Sequence, residues 1–288
     1  MKTVGIACTG GGTKAASNVG VIKAFEEAGI KISAISGTSI GSIAAVFYAL
    51  GISTDEIKEK FKNYTVEYPK FSLLEIILAP FKLLIRGGAK NPKKIEETMR
   101  SVMEKKGKKN MNDIEMPVFI PTLDVTMKET AYYSSKQLKN EKCYTDRPIV
   151  EAIKNSCSVP LLFLPNNVYI DGKLHQFSDG GMTNNTPTYH LHEFVDIVVG
   201  IENIYNKKIK HKKLNIITGI RNLFQSMRRS AVEFQKREAD IWIKVNCKEV
   251  DIIGNPDAVE FCFDQGYEAA KKAIAENKLL KEIISIKE

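Results

Sequence analysis

The chain has 288 residues, enough for one large α/β domain or two smaller ones, and its apolar fraction of 43% is enough to bury a full core. A formal charge of +8 attracts anionic surfaces, but no zinc-finger, RNA-binding or basic-zipper pattern accompanies it, so nucleic acid is not expected as a partner. The cysteines Cys8, Cys143, Cys157, Cys247 and Cys262 are odd in number, widely spaced and free of any C-x-x-C, which argues against a disulfide frame or a zinc site and for reduced thiols in a cytoplasmic protein.

Residues 3–8 read as a buried first strand running straight into glycines, without the pattern of a signal peptide. Residues 16–29 read as a helix stopped at Gly29, residues 32–36 as a second strand, and residues 40–50 as a helix of small and apolar residues ending at Gly51. This β-α-β-α run predicts a parallel sheet with right-handed crossovers. Residues 55–110 read as helical, with starts at Thr54-Asp55 and Asn91-Pro92. Strands are expected at 117–123 and 129–134, a helix at 147–155, and strands near 167–170 and 195–201. A basic amphipathic helix at 214–239, a last strand at 241–246 and one long closing helix at 256–284 complete the chain. With no repeat, low-complexity tract or linker, residues 1–288 are expected to form a single domain with a helical insertion around 55–110.

Within that insertion, residues 71–85 are unusually greasy, yet too short and too often interrupted, by Glu75, Pro80 and Lys82, to span a membrane. They suit a helix packed on the core. In second place they suit a flap over a lipid site or an interfacial anchor, with Leu74, Ile77, Phe81 and Leu84 as substrate or lid candidates and Arg86 and Lys90 meeting headgroups. Lysines at 105–109 and 207–213, with Arg228 and Arg229, read first as solvated surface and second as attraction to anionic phospholipid.

Three constellations carry chemistry. Gly10-Gly11-Gly12-Thr13-Lys14 follows the first strand and precedes a helix, so its backbone N–H groups suit a phosphate or an oxyanion. It matches the dinucleotide fingerprint G-x-G-x-x-A, but the second strand ends without the acid that would bind ribose. Gly37-Thr38-Ser39-Ile40-Gly41 is a G-x-S-x-G with a strand before and a helix after, the context of a nucleophile on a sharp turn. Ser39 also fits a plain helix N-cap. Asp179-Gly180-Gly181 fits a routine tight turn, or a carboxylate base made useful by partial desolvation. Among His175, His190, His192 and His211, a Ser-Asp-His order is formally available, but only two strands precede the serine. His190 and His192 read as surface or helix-start residues.

Taken in order, Gly10-Gly11-Gly12, Gly37-Thr38-Ser39-Ile40-Gly41, Ser156-Cys157-Ser158-Val159-Pro160 and Asp179-Gly180-Gly181 with Asn185 and Pro187 resemble the patatin-like phospholipase family over about the first 190 residues. The resemblance implies a three-layer α/β/α fold with a mostly parallel central sheet. It implies hydrolysis of acyl esters of phospholipids or related lipids, without cofactor or metal. By this likeness Ser39 is the nucleophile and Asp179 the base. The N–H groups of Gly10, Gly11 and Gly12, joined by that of Ile40, form the oxyanion hole. Lys14 stands where family members often carry arginine; it keeps the charge and loses the planar fork. It joins Leu74, Ile77, Phe81 and Leu84 as an expected substrate or lid residue. Two other classes stay open: a nucleotide-binding protein using the glycine loop, and a non-catalytic lipid-binding module.

Overall fold

The computed structural model describes residues 2–67, 88–90, 93–163, 166–204, 216–251 and 254–285. The first strand, β1 (Val4–Cys8), is buried along its whole length, as a strand covered on both faces must be. It lies in the middle of a nine-stranded sheet, parallel to β2 (Ile32–Gly37) on one side and to β10 (Ile197–Asn203) on the other. β11 (Ile241–Val245) extends the parallel part beyond β10. β4 (Val118–Asp124) follows β2, and β5 (Glu129–Ser134) and the short β6 (Cys143–Tyr144) close that side.

β4 positions the site. Its first half pairs in parallel with β2, through Ile35 to Val118 and Ser36 to Phe119. Its second half pairs antiparallel with β9 (Lys173–Asp179), through Thr122 to Asp179 and Asp124 to Phe177. β5 occupies the other flank throughout, from Phe119 to Asp124. β2 and β9 therefore share one flank of β4 and run toward each other. About 10 Å of β4 separates the two pairings at ~3.3 Å per residue, a gap that the turn leaving β2 bridges.

Helices cover both sides of the sheet. On one face pack α1 (Ala16–Glu27), α2 (Ile40–Ala49), α3 (Thr54–Glu67) and α4 (Lys93–Lys106), with α5 (Ile149–Ser156), α7 (Pro256–Glu276) and α8 (Lys278–Ser285). Val19, Ile22, Phe25, Phe47 and Phe263 fill the space against Ile6 and Ile35. On the other face Leu191, Val195 and Phe194 lie over Ala7, Ala34 and Val198, beside the end of α6 (Ile216–Arg237). α1 and α2 end at Gly29 and Gly51, where the expected stops fall. The amides of those glycines turn back to the carbonyls of Glu26 and Tyr48.

Three features depart from expectation. The closing helix is two helices. Asn277 takes an extended backbone and its side chain caps the second, accepting from Leu279 N–H at 2.9 Å. The 55–110 region is not wholly helical, because β3 (Gly88–Lys90) pairs in parallel with β7 (Leu161–Phe163). β8 (Asn166–Ile170) and β9 form a hairpin closed by Asp171 and Gly172, both at positive φ, 49° and 73°. The greasy stretch 71–85, with Leu74, Ile77, Phe81 and Leu84, and the lysines at 207–213 lie outside the described residues.

Candidate active site

Ser39 ends the turn that leaves β2 and opens α2. Its backbone sits at φ 54°, ψ −134°, a strained conformation for a residue with a side chain, costing on the order of 1–3 kcal/mol. An N-cap serine would instead adopt an extended backbone and accept an amide hydrogen on its hydroxyl. Ser39 does neither: it makes no side-chain cap bond. The flanking glycines are required by contact. A Cβ on Gly41 would come within 2.5 Å of the Thr9 carbonyl, at the end of β1.

The glycine loop lies against this turn. Gly11 and Gly12 both have positive φ, 151° and 60°, which a side chain would oppose. A Cβ on Gly10 would sit 3.3 Å from that of Ser39. The expectation for Gly10 needs correction: its N–H donates to the Asn185 carbonyl at 3.1 Å, so it forms wall, not donor. Among the described residues, nothing accepts from the N–H groups of Gly11, Gly12 or Ile40. Lys14 is buried at 3% exposure, against Cys247 and Cys262, so it is no part of a surface lid. Burial pulls its ammonium down from the usual lysine range, and the neighbouring thiols push it back.

Asp179 ends β9 and meets Ser39 from the opposite direction. Its carboxylate accepts the Gly181 N–H at 2.7 Å, capping the tight turn Gly180–Met182, so the structural reading of Asp-Gly-Gly holds in part. Burial pushes its pKa from 3.8 up to about 6. Hydrogen bonds from the Ser39 side chain and the Gly181 amide, and the charge of Arg228, pull the other way. The sequence motifs thus converge on one buried spot, with Ser39 at 7% and Asp179 at 6% exposure.

Sequence reasoning named the segment 156–160 without giving it a task. The Ser156 hydroxyl accepts the Ser39 N–H at 3.0 Å and donates to the Pro121 carbonyl of β4 at 2.9 Å. Two residues later the Ser158 carbonyl accepts the Asp179 N–H at 3.0 Å. The last residue of α5 and the turn that follows it hold the backbones of both. The Cys157 thiol between them is fully buried near Ser39 and Ser42, and burial pushes it well above the usual cysteine range. Residues 184–187 complete the frame. Asn185 donates to the Thr9 hydroxyl at 2.8 Å, Thr38 to the Asn184 carbonyl at 2.6 Å, and Ser36 to the Pro187 carbonyl at 2.6 Å.

The described histidines are held elsewhere. His175 bonds the buried Asp124 at 2.6 Å, and His192 lies 2.8 Å from the Glu238 carbonyl. His190, expected as a surface or helix-start residue, does stand at the start of the 3-10 turn Tyr189–Glu193, yet it is 2% exposed, 2.6 Å from Glu193 and edge-on to Tyr132 and Phe119. Among the described residues there is no cluster suited to a metal ion, and no helix is long and apolar enough to cross a membrane.

The family model for patatin-like phospholipases matches residues 6–192, which takes in the glycine loop, the Ser39 turn, the 156–160 segment and Asp179. The chain belongs to the patatin-like phospholipase family. Human patatin-like phospholipase domain-containing protein 6 is 29% identical over 188 residues, which is 64% of this chain and 12% of that protein. The neuropathy target esterase sws of Drosophila melanogaster is 25% identical over 191 residues, 66% of this chain and again 12% of the relative. The chain thus spans about an eighth of the length of these relatives. Its patatin-like fold is similar to VipD from Legionella pneumophila, with a TM-score of 0.55 at 16% identity, over 95% of this chain and 66% of that one. The family match stops before β10, α6, β11, α7 and α8.

Proposed function

We propose that the protein hydrolyses acyl esters of phospholipids or related lipids through a Ser39–Asp179 dyad and an acyl-enzyme. The observation that carries this reading is a strained serine, unused as a cap, beside a buried carboxylate with a pKa near 6. Asp179 takes the Ser39 hydroxyl proton as the oxygen attacks the ester carbonyl. The oxyanion is received by the N–H groups of Gly11, Gly12 and Ile40, whose freedom from other acceptors among the described residues supports the role. The alcohol leaves with a proton returned by Asp179. Water then attacks the acyl-enzyme with Asp179 again as base. A pKa near 6 leaves the carboxylate ionised at neutral pH while making it a far better base than a free aspartate.

β10 and β11 share the sheet with β1, which supports one catalytic domain over residues 1–288, with 55–110 inserted between β2 and its neighbour β4. A nucleotide site is disfavoured because Asn185 and Ser39 crowd the glycine loop at Gly10. A cytoplasmic setting with peripheral membrane contact fits five free cysteines and the positive charge.

Ser39→Ala and Asp179→Asn should each lower turnover of a p-nitrophenyl acyl ester by several orders of magnitude. A fluorophosphonate should label Ser39 and nothing in Ser39→Ala. Unchanged turnover in either variant would end the dyad reading. A lipid panel on the wild type then sets headgroup and chain preference.

A further inference from the structure

We infer that Arg228 recognises the phosphodiester of a glycerophospholipid beside the Ser39–Asp179 pair, so that the site selects phospholipids over neutral acylglycerols. The inference rests on the acyl hydrolase reading and deepens it by naming the residue that reads the headgroup. α6 packs on the turn Gly180–Met182, directly after Asp179, and on the segment that follows. The Gln235 side chain accepts the Thr186 N–H at 2.8 Å and donates to the Thr183 carbonyl at 3.2 Å. The Gln235 carbonyl accepts the Thr188 hydroxyl at 2.8 Å. These bonds fix the rotation of the helix. At about 100° per residue, Phe224, Arg228, Val232 and Gln235 fall within about 80° of one another, on the side that faces the protein. Their burial agrees: Val232 and Gln235 are buried and Phe224 and Arg228 half-buried, whereas Met227 and Arg229, either side of Arg228, are exposed.

That inward stripe carries a cation to the glycine loop. Burial dominates the pKa values of both Asp179 and Lys14, and the charge of Arg228 lowers each of them as well. Asp179 meets Ser39, and Lys14 lies in the turn that leaves the glycine loop, so one guanidinium within reach of both stands beside Gly11 and Gly12. Those two glycines are half-buried and open to a ligand, while the Lys14 side chain is buried against Cys247 and Cys262 and turned away from one. In a glycerophospholipid the phosphate hangs a few bonds from the scissile ester. A substrate carbonyl seated at the Gly11 and Gly12 amides therefore brings its phosphate close to the Asp179 carboxylate, where like charges repel. A guanidinium beside them offsets that repulsion and matches phosphate with paired N–H donors. Arg228 also has a partner within the protein, and five N–H donors leave room for a phosphate besides. A neutral acylglycerol offers Arg228 nothing to bind.

The test is calorimetric binding of a dibutyl-ether glycerophosphocholine and of the matching dibutyl-ether glycerol to the wild type, Arg228→Gln and Arg228→Lys. Neither ligand has an ester, so binding is read without turnover. The wild type should bind the phosphodiester about tenfold to a hundredfold more tightly than the neutral ether. Arg228→Gln should lose that preference, and Arg228→Lys, a point charge without the planar fork, should keep part of it. Because the preference is a ratio measured on one protein, a general loss of folded molecules cancels from it. With the corresponding dibutanoyl esters, the same ratio should appear in kcat/KM and should be lost through KM. A wild type that binds the two ethers alike, or binds neither, overturns the inference whatever the variants do, as does a folded Arg228→Gln that keeps the preference. Inorganic phosphate should displace the phosphocholine ether only weakly; equal affinity would make this a site for free phosphate and also overturn it. Intact ether preference in a protein that cleaves no ester would instead strike the dyad and leave phosphate recognition standing.

Discussion

Asp179→Asn should make the protein more stable while it removes activity. A carboxyl whose pKa rises from 3.8 to about 6 on folding holds its proton more tightly in the folded chain. Its ionisation then opposes folding, increasingly as pH climbs from 3.8, and fully once pH has passed about 6. A shift of about two units corresponds to about 3 kcal/mol at neutral pH. Asparagine is near in shape and keeps an oxygen to accept the Gly181 N–H, so the turn survives while the buried charge is removed. At about 2–4 °C per kcal/mol, thermal melting at pH 7.5 should rise by several degrees in the variant. Near pH 4 the folded wild type already carries a neutral carboxyl, and the gap should shrink to under ~1 kcal/mol. Melting curves of both proteins at the two pH values are the assay. An unchanged melting temperature at pH 7.5, or a gain that persists at pH 4, would refute the claim that Asp179 is stored as a buried, costly anion.

The same pKa gives the pH dependence of turnover. With Asp179 as base, kcat/KM on a soluble ester should rise through a half-maximum near pH 6 to a plateau, and a flat profile across that region would remove Asp179 from the role. Ser156→Ala leaves the buried Ser39 N–H without its 3.0 Å partner, an unsatisfied donor costing about 1–3 kcal/mol. If that cost falls on the nucleophile's geometry, fluorophosphonate labelling slows by about tenfold to a hundredfold with KM unchanged, and Ser156→Thr restores it; labelling at the wild-type rate in Ser156→Ala would show the clamp to be idle. Gly266→Ala would drive a methyl into the Ser17 backbone of α1, so it should destabilise by about 1–3 kcal/mol or more in denaturant melts, and a neutral result would mean that α1 and α7 separate easily.

Much of this was legible from local signals. Continuous apolar runs marked β1 and β2, glycines marked the ends of α1 and α2, and the glycines around Ser39 marked a turn where backbone meets backbone. What sequence cannot carry is contact across distance. Nothing near Ser156 says that its hydroxyl reaches Ser39, and nothing near Asn185 says that its carbonyl consumes the Gly10 amide. His190 reads as surface because it is polar and sits in a turn. Its burial follows from Glu193 and three aromatic rings, Phe119, Tyr132 and Tyr189, two of them remote in sequence. One signal was available and unused: Asp171-Gly172 is a hairpin dipeptide, and reading it so puts Asp179 at the end of a strand rather than in a free turn. The break at Asn277 was hidden because Asn in a long apolar-periodic stretch reads as tolerated, whereas its capping oxygen starts a new helix.

Because β2 and β9 approach head to head along β4, the reacting pair has no local existence. No hairpin or helix pair of this chain contains both groups; they come together only when two strands far apart in sequence, β2 and β9, have zipped onto β4. Such non-local closure is slow to form and all-or-none to lose. In a urea titration, esterase turnover and far-ultraviolet ellipticity should therefore collapse over the same narrow range, making enzyme assay a direct gauge of how many molecules have completed the sheet.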